Sequence, residues 1–305
     1  MAASIRQILK GETRSVSRLL THIENRDASI RPLLKALFPY TGKARLIAVT
    51  GPAGAGKSTL VSQLITAFRG KRKSVGVLAV DPSSPFTGGA ILGDRLRMQT
   101  HFLDREVFIR SLATRGTWGG ISPALFDAIH LLDASGKDVI LIETVGVGQD
   151  EVAIARLTDL VLLVLAPGIG DDVQLMKAGL LEIGDIVVVN KGDLRESQSF
   201  YRQLKEALSP RPILKVTAEK GKGIHDLISL LEKQLPSPIF EREKQIGFIR
   251  EELRTLLREA YGRAISEVFF EESAIEAILN RRRDPYAVID AWLRRQKLMP
   301  SFSTP

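Results

Sequence analysis

Three patterns of apolar spacing divide the chain. Over residues 4–38 the positions Ile5, Ile8, Leu9, Val16, Leu19, Leu20 and Ile23 recur at steps of three and four with basic residues between them. That spacing predicts one or two amphipathic helices. Tyr40-Thr41-Gly42-Lys43 follows as a turn. From about 45 to 235 the pattern shifts to short β-branched runs separated by helical stretches. The predicted strands are Leu46–Thr50, Val75–Val80, Val107–Ile109, Val139–Glu143, Leu160–Leu165, Ile186–Asn190 and Ile213–Val216. Most are continuously apolar rather than alternating, as parallel strands covered on both faces must be. The fold class is therefore α/β, a doubly wound, mostly parallel sheet. Pro236-Ser237-Pro238 breaks the chain, and residues 241–298 return to helical periodicity rich in Arg and Glu. An apolar stripe there (Phe248, Leu253, Leu256, Leu257, Ala260, Ile265, Val268) predicts either a solvated helix pair or an arm packed on a second copy. The expected organisation is an N-terminal helical segment (1–44), an α/β domain (45–235) and a helical C-terminal arm (236–305).

Composition narrows the class. With 305 residues, 44% hydrophobic and 26% charged, the chain has enough apolar material for a core, and disorder or low-complexity architectures are excluded. No apolar run reaches the roughly 18–20 residues of a membrane span, and the N-terminus lacks the apolar core of a secretory signal. There are no cysteines, which removes disulfides, cysteine zinc sites, iron–sulfur clusters and thiol catalysis. These features point to the cytoplasm and away from a membrane. The net charge, 43 − 35 = +8, is unevenly spread: residues 1–44 hold eight Lys/Arg against three acids, leaving 35 against 32 elsewhere. The excess belongs to a solvated helix face or a surface for an acidic partner, and nucleic acid is not the expected ligand.

The first chemical motif is Gly51-Pro52-Ala53-Gly54-Ala55-Gly56-Lys57-Ser58, which fits G-x-x-x-x-G-K-[ST] between a predicted strand and a helical pattern starting at Thr59-Leu60-Val61. Glycines let successive backbone N–H groups curl around phosphates. Lys57 reaches the β- and γ-phosphates and the Ser58 hydroxyl coordinates Mg²⁺. The helix N-terminus adds favourable partial charge for an anion.

Asn190-Lys191-Gly192-Asp193, at the end of a late strand, decides the base. N-K-x-D there reads guanine: the Asp193 carboxylate accepts from the ring N–H and the exocyclic amine, where adenine offers an acceptor and no amine. The stem of Lys191 covers the base face. Thr217-Ala218-Glu219, after the next strand, stands where an S-A-K loop would back the guanine.

Asp81 and Glu143 end predicted strands, and in an open α/β sheet ligands bind beyond the carboxyl ends of strands. Both are placed for Mg²⁺ or its waters, since magnesium prefers oxygen ligands and keeps several waters. Glu143-Thr144-Val145-Gly146 takes the place of the D-x-x-G of Ras-like GTPases, with Gly146 offering a backbone N–H to the γ-phosphate.

Val80-Asp81-Pro82-Ser83-Ser84-Pro85, Thr87-Gly88-Gly89, Leu92-Gly93-Asp94-Arg95-Leu96-Arg97-Met98, Arg115-Gly116-Thr117-Trp118-Gly119-Gly120 and Glu143-Thr144-Val145-Gly146-Val147-Gly148-Gln149 together resemble the MeaB/ArgK family of P-loop GTPases. The resemblance runs over essentially the whole chain. The residues themselves predict binding of GTP/GDP and Mg²⁺, and with no arginine finger evident in cis the turnover of the chain alone is expected to be slow. The resemblance implies a homodimeric GTPase. It also implies a chaperone that gates cofactor loading of an adenosylcobalamin-dependent acyl-CoA mutase, such as methylmalonyl-CoA mutase, and protects or reactivates it. By the same resemblance Asp81, Asp94 and Glu143 serve Mg²⁺ and catalysis, the Asp94 region and Val145–Gln149 move with nucleotide state, and Gly170–Gln174 with Lys177 couples hydrolysis to the mutase. The chain departs from the family pattern at Trp118, Gly192 and Thr217-Ala218-Glu219.

Two other classes compete. A kinase or transport-associated ATPase of the arginine-transport type conflicts with Asn190–Asp193. A nickel metallochaperone GTPase needs Cys/His ligands; the chain has no cysteine, and His22, His101, His130 and His225 are scattered, each expected at the surface or capping a helix.

Overall fold

A computed structural model describes residues 5–81, 98–113, 121–144, 150–169, 180–235 and 238–266, with the single positions 273 and 280. The chain divides into two units, Met1–Leu256 and Leu257–Pro305. The sheet lies wholly in the first.

Seven strands form one parallel sheet: β1 (Arg45–Thr50), β2 (Val75–Asp81), β3 (Val107–Ala113), β4 (Val139–Thr144), β5 (Leu160–Leu165), β6 (Ile186–Val189) and β7 (Ile213–Lys215). Their order is β3-β2-β4-β1-β5-β6-β7. All seven predicted strands are present, and the doubly wound α/β class holds. Every residue of β4, β5 and β6 is buried, which is why these segments read as unbroken apolar runs. The chain runs from β1 out to β2 and β3 on one side, returns to β4 between β2 and β1, then crosses to β5 on the other side. That reversal opens a crevice at the carboxyl ends of the central strands. Register places Val49 of β1 and Ala79 of β2 on either side of Glu143 in β4.

Because strand side chains alternate between faces, two cores form. On one face Ala48, Leu78, Ile140 and Ile142 pack with α5 (Pro123–Ala134) and the N-terminal helices. On the other, Ile47, Val49, Val77, Leu141 and Leu162 pack with α4 (Lys57–Gly70) and α9 (Ile224–Gln234). The intervening helices α6 (Asp150–Ala155), α7 (Leu180–Ile183) and α8 (Ser197–Ala207) are short or lie toward the β6–β7 side.

The N-terminal segment is more broken than its periodicity predicts. It folds as α1 (Ile5–Leu9), α2 (Thr13–Glu24) and α3 (Arg31–Leu37), with 3₁₀ turns at Ala28–Ile30 and Phe38–Tyr40. Gly11, at φ 71°, ends α1; α2 ends over Arg26, at φ 54°, with Asp27 N returning to His22 O, and Asp27 then caps the 3₁₀ turn by accepting from Ser29 N at 2.9 Å. Ile8 and Leu20 are fully buried in the same core as β4. Asp133 of α5 fastens the exit of this segment, accepting from the backbone N–H groups of Gly42, Lys43 and Ala44.

Helix α10 (Pro238–Ser266) starts at the Pro-Ser-Pro break. Within the expected apolar stripe, Phe248 turns inward. It makes edge contacts with Phe126 and His130 at 5.3 and 5.6 Å between centroids, while Leu253, Leu256 and Leu257 are exposed. His130 is accordingly not a surface residue: its Nε2 bonds Glu252 at 3.0 Å and its ring lies against Phe38 and Phe248.

Candidate active site

The loop after β1 is shaped by its glycines. Gly51, at φ 140°, passes so close to β5 that a Cβ would stand 2.0 Å from Val164 O. Gly56, at φ 89°, is the left-handed N-cap of α4, and a Cβ there would stand 2.3 Å from Asn190 Nδ2. Ala53 and Gly54 form the exposed crest of the loop, Ala55 is fully buried beneath it, and Thr59 is half-buried in the first turn of α4. The first turn of α4 carries no acid of its own, and its N-terminal N–H groups present positive potential. Lys57 is buried. Its Nζ donates to Gly51 O at 2.8 Å and Pro52 O at 3.1 Å, so the ammonium is folded against the loop's own carbonyls.

One helical position further, Ser58 Oγ donates to Glu143 Oε1 at 2.6 Å, 85 residues away in sequence, and both are buried. This is a charge-assisted bond between two hard oxygen donors at the edge of the loop. Beside it Thr144 Oγ1 donates to Thr50 Oγ1 at 3.0 Å, tying the ends of β4 and β1 together. Asp81 is the last residue of β2, paired in register with Ala113. It reaches the same sheet edge by its backbone; its side chain lies outside the described residues, as do Asp94, Gly146, Gly170–Gln174 and Lys177.

The β6 and β7 loops close the other side. Asn190 is buried at the end of β6; its Nδ2 donates to Ala55 O at 2.9 Å and its Oδ1 accepts from Ala218 N at 3.0 Å. Lys191 adopts φ 54°, and Leu194 N bonds back to Lys191 O at 3.0 Å, which turns Asp193 outward. Thr217 and Ala218 are buried and Glu219 is exposed. Asp193 Oδ2 accepts from Lys220 Nζ at 2.8 Å. That bond holds the Asp193 carboxyl below the ordinary aspartate value and the Lys220 ammonium above the ordinary lysine value. Gly51–Gly56, Lys57, Ser58, Glu143, Asn190 and Ala218 are thus gathered at one sheet edge, with Asp193 on the loop that Asn190 begins. Two participants escape sequence reasoning: Thr50, whose hydroxyl is invisible in an apolar strand, and Lys220, one residue beyond the S-A-K position.

A sequence profile described as Methylmalonyl Co-A mutase-associated GTPase MeaB matches residues 16–237. A Pyrococcus horikoshii protein assigned as a GTPase is 44% identical over 306 residues, covering 95% of this chain and 96% of its own. The chain belongs to the MeaB family of GTPases. Other relatives include GTPase ArgK of Escherichia coli, 41% identical over 63% of this chain and 60% of its own. The mouse mitochondrial methylmalonic aciduria type A homolog is 39% identical over 59% of this chain and 46% of its own. In fold, the chain is similar to the crystal structure of a LAO/AO transport system kinase, with a TM-score of 0.67, 23% identity and 96% coverage of both chains.

As a MeaB-family GTPase the chain binds guanine nucleotide and hydrolyses GTP. In phosphoryl transfer of this kind a protein contributes mainly positioning and charge. The arrangement around Lys57, Ser58 and Glu143 is of that kind: a cation, the N–H groups of a helix N-terminus and hard oxygen donors gathered at one loop.

Proposed function

We propose that this chain is a Mg²⁺-dependent cytoplasmic GTPase of low intrinsic turnover that acts as a homodimer on an adenosylcobalamin-dependent acyl-CoA mutase, gating cofactor loading and protecting or reactivating the enzyme. The description of its family as mutase-associated carries the partner assignment, and the mouse relative's name agrees with it. Among the described residues no helix is long and apolar enough to cross a membrane.

In this reading the loop N–H groups and Lys57 take the phosphates. When the phosphate oxygens arrive, the Lys57 ammonium turns from the carbonyls of Gly51 and Pro52 to charged acceptors. Asn190 braces the loop from behind through Ala55, and Asp193 takes the guanine ring N–H and amine. The pairing of Ser58 with Glu143 is a donor set of hard oxygens that suits magnesium. Ser58 and Glu143, with Asp81 and Asp94, would hold the ion, which supplies charge neutralisation for the phosphate oxygens. No arginine is positioned against the loop among the hydrogen bonds of the described site, and P-loop GTPases without one in cis turn over at roughly 10⁻⁴ to 10⁻² s⁻¹.

The apolar stripe of α10 supports the dimer. Ile246, Ile249, Leu253, Leu256, Leu257 and Tyr261 are all exposed and follow a heptad-like spacing, which a second copy of the same helix can cover.

The decisive measurement is GTP turnover with and without a purified methylmalonyl-CoA mutase. Stimulation supports the partner; an unchanged rate, together with no co-elution in any nucleotide state, refutes it. Competition titration tests the base: GDP should bind at least ~100-fold more tightly than ADP, about 2.7 kcal/mol.

A further inference from the structure

We propose that Lys220 is a positioning residue for base recognition, holding the Asp193 carboxylate in the orientation that receives the guanine edge. The inference rests on the reading of Asp193 as the base-recognising group.

Asp193 has a problem that Asn190 does not. Asn190 is buried and fixed by three hydrogen bonds, two from its amide group and one from its backbone N–H to Leu165 O at 2.7 Å. The Asp193 side chain is 41% exposed, and hydrogen bonds rather than packing orient it: one from its own backbone N–H and one from Lys220. Reading guanine requires both carboxylate oxygens to face two donors in one plane. A freely rotating carboxylate must be ordered at the moment of binding, and that ordering costs affinity.

Lys220 supplies the order beforehand. An ionised carboxylate has about four lone-pair sites; Lys220 Nζ occupies one on Oδ2 at 2.8 Å, the residue's own backbone N–H takes a second, and two remain for the guanine donors. The lysine sits on a tightly closed loop. Thr217 N bonds Lys222 O at 3.0 Å, Lys222 N bonds Thr217 O at 3.2 Å, Lys220 N bonds Thr217 O at 3.0 Å and Gly221 turns at φ 67°. The same loop delivers Ala218 N to Asn190 Oδ1. The β6 and β7 loops are therefore joined by two rungs, Asn190 to Ala218 inside and Asp193 to Lys220 outside. Moving either loop disturbs both.

The charge around Asp193 favours the same role. Lys220 and Lys222 are the cations acting on the carboxylate, and Asp193 first and Glu219 last are the acids acting on Lys220. Two cations keep the carboxylate ionised and purely accepting. The bland alternative is an exposed ion pair that merely decorates the surface, and such pairs contribute little to folding. The two readings differ in where the effect appears. A positioning residue changes nucleotide affinity through residue 193 and barely changes the stability of the ligand-free protein.

The test is a double-mutant cycle on the full chain, with GDP and xanthosine diphosphate as probes and urea unfolding as the stability control. Lys220→Ala should weaken GDP binding by about two- to fivefold, the range open to an exposed pair. Lys220→Glu should weaken it further, and Lys220→Arg should restore it. In the Asp193→Asn background, where an amide offers no charge to the ammonium, Lys220→Ala should leave xanthosine diphosphate affinity unchanged. Undiminished GDP affinity in Lys220→Ala, or an equal loss in both backgrounds, overturns the proposal. If Asp193→Asn neither loses GDP nor gains xanthosine diphosphate, the base-reading role of Asp193 itself is wrong and the proposal falls with it.

Discussion

Asn190 and Ala55 meet although 135 residues separate them: the Asn190 amide donates to the Ala55 carbonyl at 2.9 Å and accepts from Ala218 N at 3.0 Å. One side chain thereby joins the phosphate loop to both loops on the far side of the crevice. The geometry of the phosphate end and of the base end cannot vary independently. Asn190→Ala leaves two buried backbone groups without this partner, each costing about 1–3 kcal/mol if nothing replaces it. We expect unfolding to become easier by about 2 kcal/mol or more and GDP affinity to drop at least tenfold, about 1.4 kcal/mol. Urea denaturation and GDP titration on one preparation measure both. A loss confined to stability would separate the bond from nucleotide binding.

Gly56→Ala attacks the same joint from the other side. The new methyl would lie 2.3 Å from Asn190 Nδ2 and force a side chain into φ 89°. The left-handed conformation alone costs about 1–2 kcal/mol, and Asn190 must also leave Ala55. The expected outcome is a folded protein, by circular dichroism, that no longer binds GDP. Retained affinity would mean the loop relaxes more freely than its packing indicates.

How much of this was legible beforehand follows physical lines. Strands β4, β5 and β6 were readable because both faces are covered, which turns each into an unbroken apolar run. The phosphate loop was readable because glycine at 51 and 56 is dictated by φ and by close approach, and that requirement is written in the residue type itself. Pairings across loops were not. The bond from Ser58 to Glu143 and that from Lys220 to Asp193 depend on rotamers and loop closure, which leave no periodic trace. Helix α10 shows a third limit. Apolar spacing placed Phe248 on the same stripe as Leu253, yet only packing against Phe126 and His130 decides that Phe248 faces inward.

Acid should weaken the fold in part through Asp104. The hydrogen bond from Arg69 Nε, at 2.8 Å, pulls its carboxyl below the ordinary aspartate value; partial burial opposes this and the Glu106 N–H adds to it. A carboxyl whose folded value is depressed contributes stability that is fully present above its unfolded value, near pH 4, and is lost as pH falls through the lower folded value. Asp104→Asn should therefore be less stable than the parent at neutral pH, by under about 1 kcal/mol because the pair is partly exposed. The gap should close as pH falls through that lowered folded value. Urea midpoints across a pH series would show it; a gap independent of pH would assign the loss to packing.

Glu143 should be needed for turnover more than for the fold. It accepts the Ser58 hydroxyl at 2.6 Å where the magnesium set is proposed. Glu143→Ala should lower GTP hydrolysis at least about 10- to 100-fold, the loss typical of removing even a partner that orients a metal ligand. It should also raise the Mg²⁺ concentration needed for half-maximal rate, and chelating Mg²⁺ should abolish activity in the parent. A variant with normal turnover at low Mg²⁺ would remove Glu143 from the catalytic set.

The exposed stripe of α10 can be tested without cutting the chain. Deleting the helix would also strip Phe248 from Phe126 and Glu252 from His130, so lost dimerisation could not be told from a damaged core. Leu253 and Leu257 are exposed, at 61% and 57%. A dimer formed through this face should bury over ~1,200 Å² in total, with the leucines at its apolar centre. Leu253→Glu with Leu257→Glu places like charges there on both copies, which association cannot tolerate in a desolvated centre. Light scattering should give twice the 33.6 kDa chain mass for the parent and the single mass for the variant, with GDP affinity retained. A parent that is monomeric at all concentrations, or a variant that stays dimeric, would assign this face to something other than a second copy of the chain.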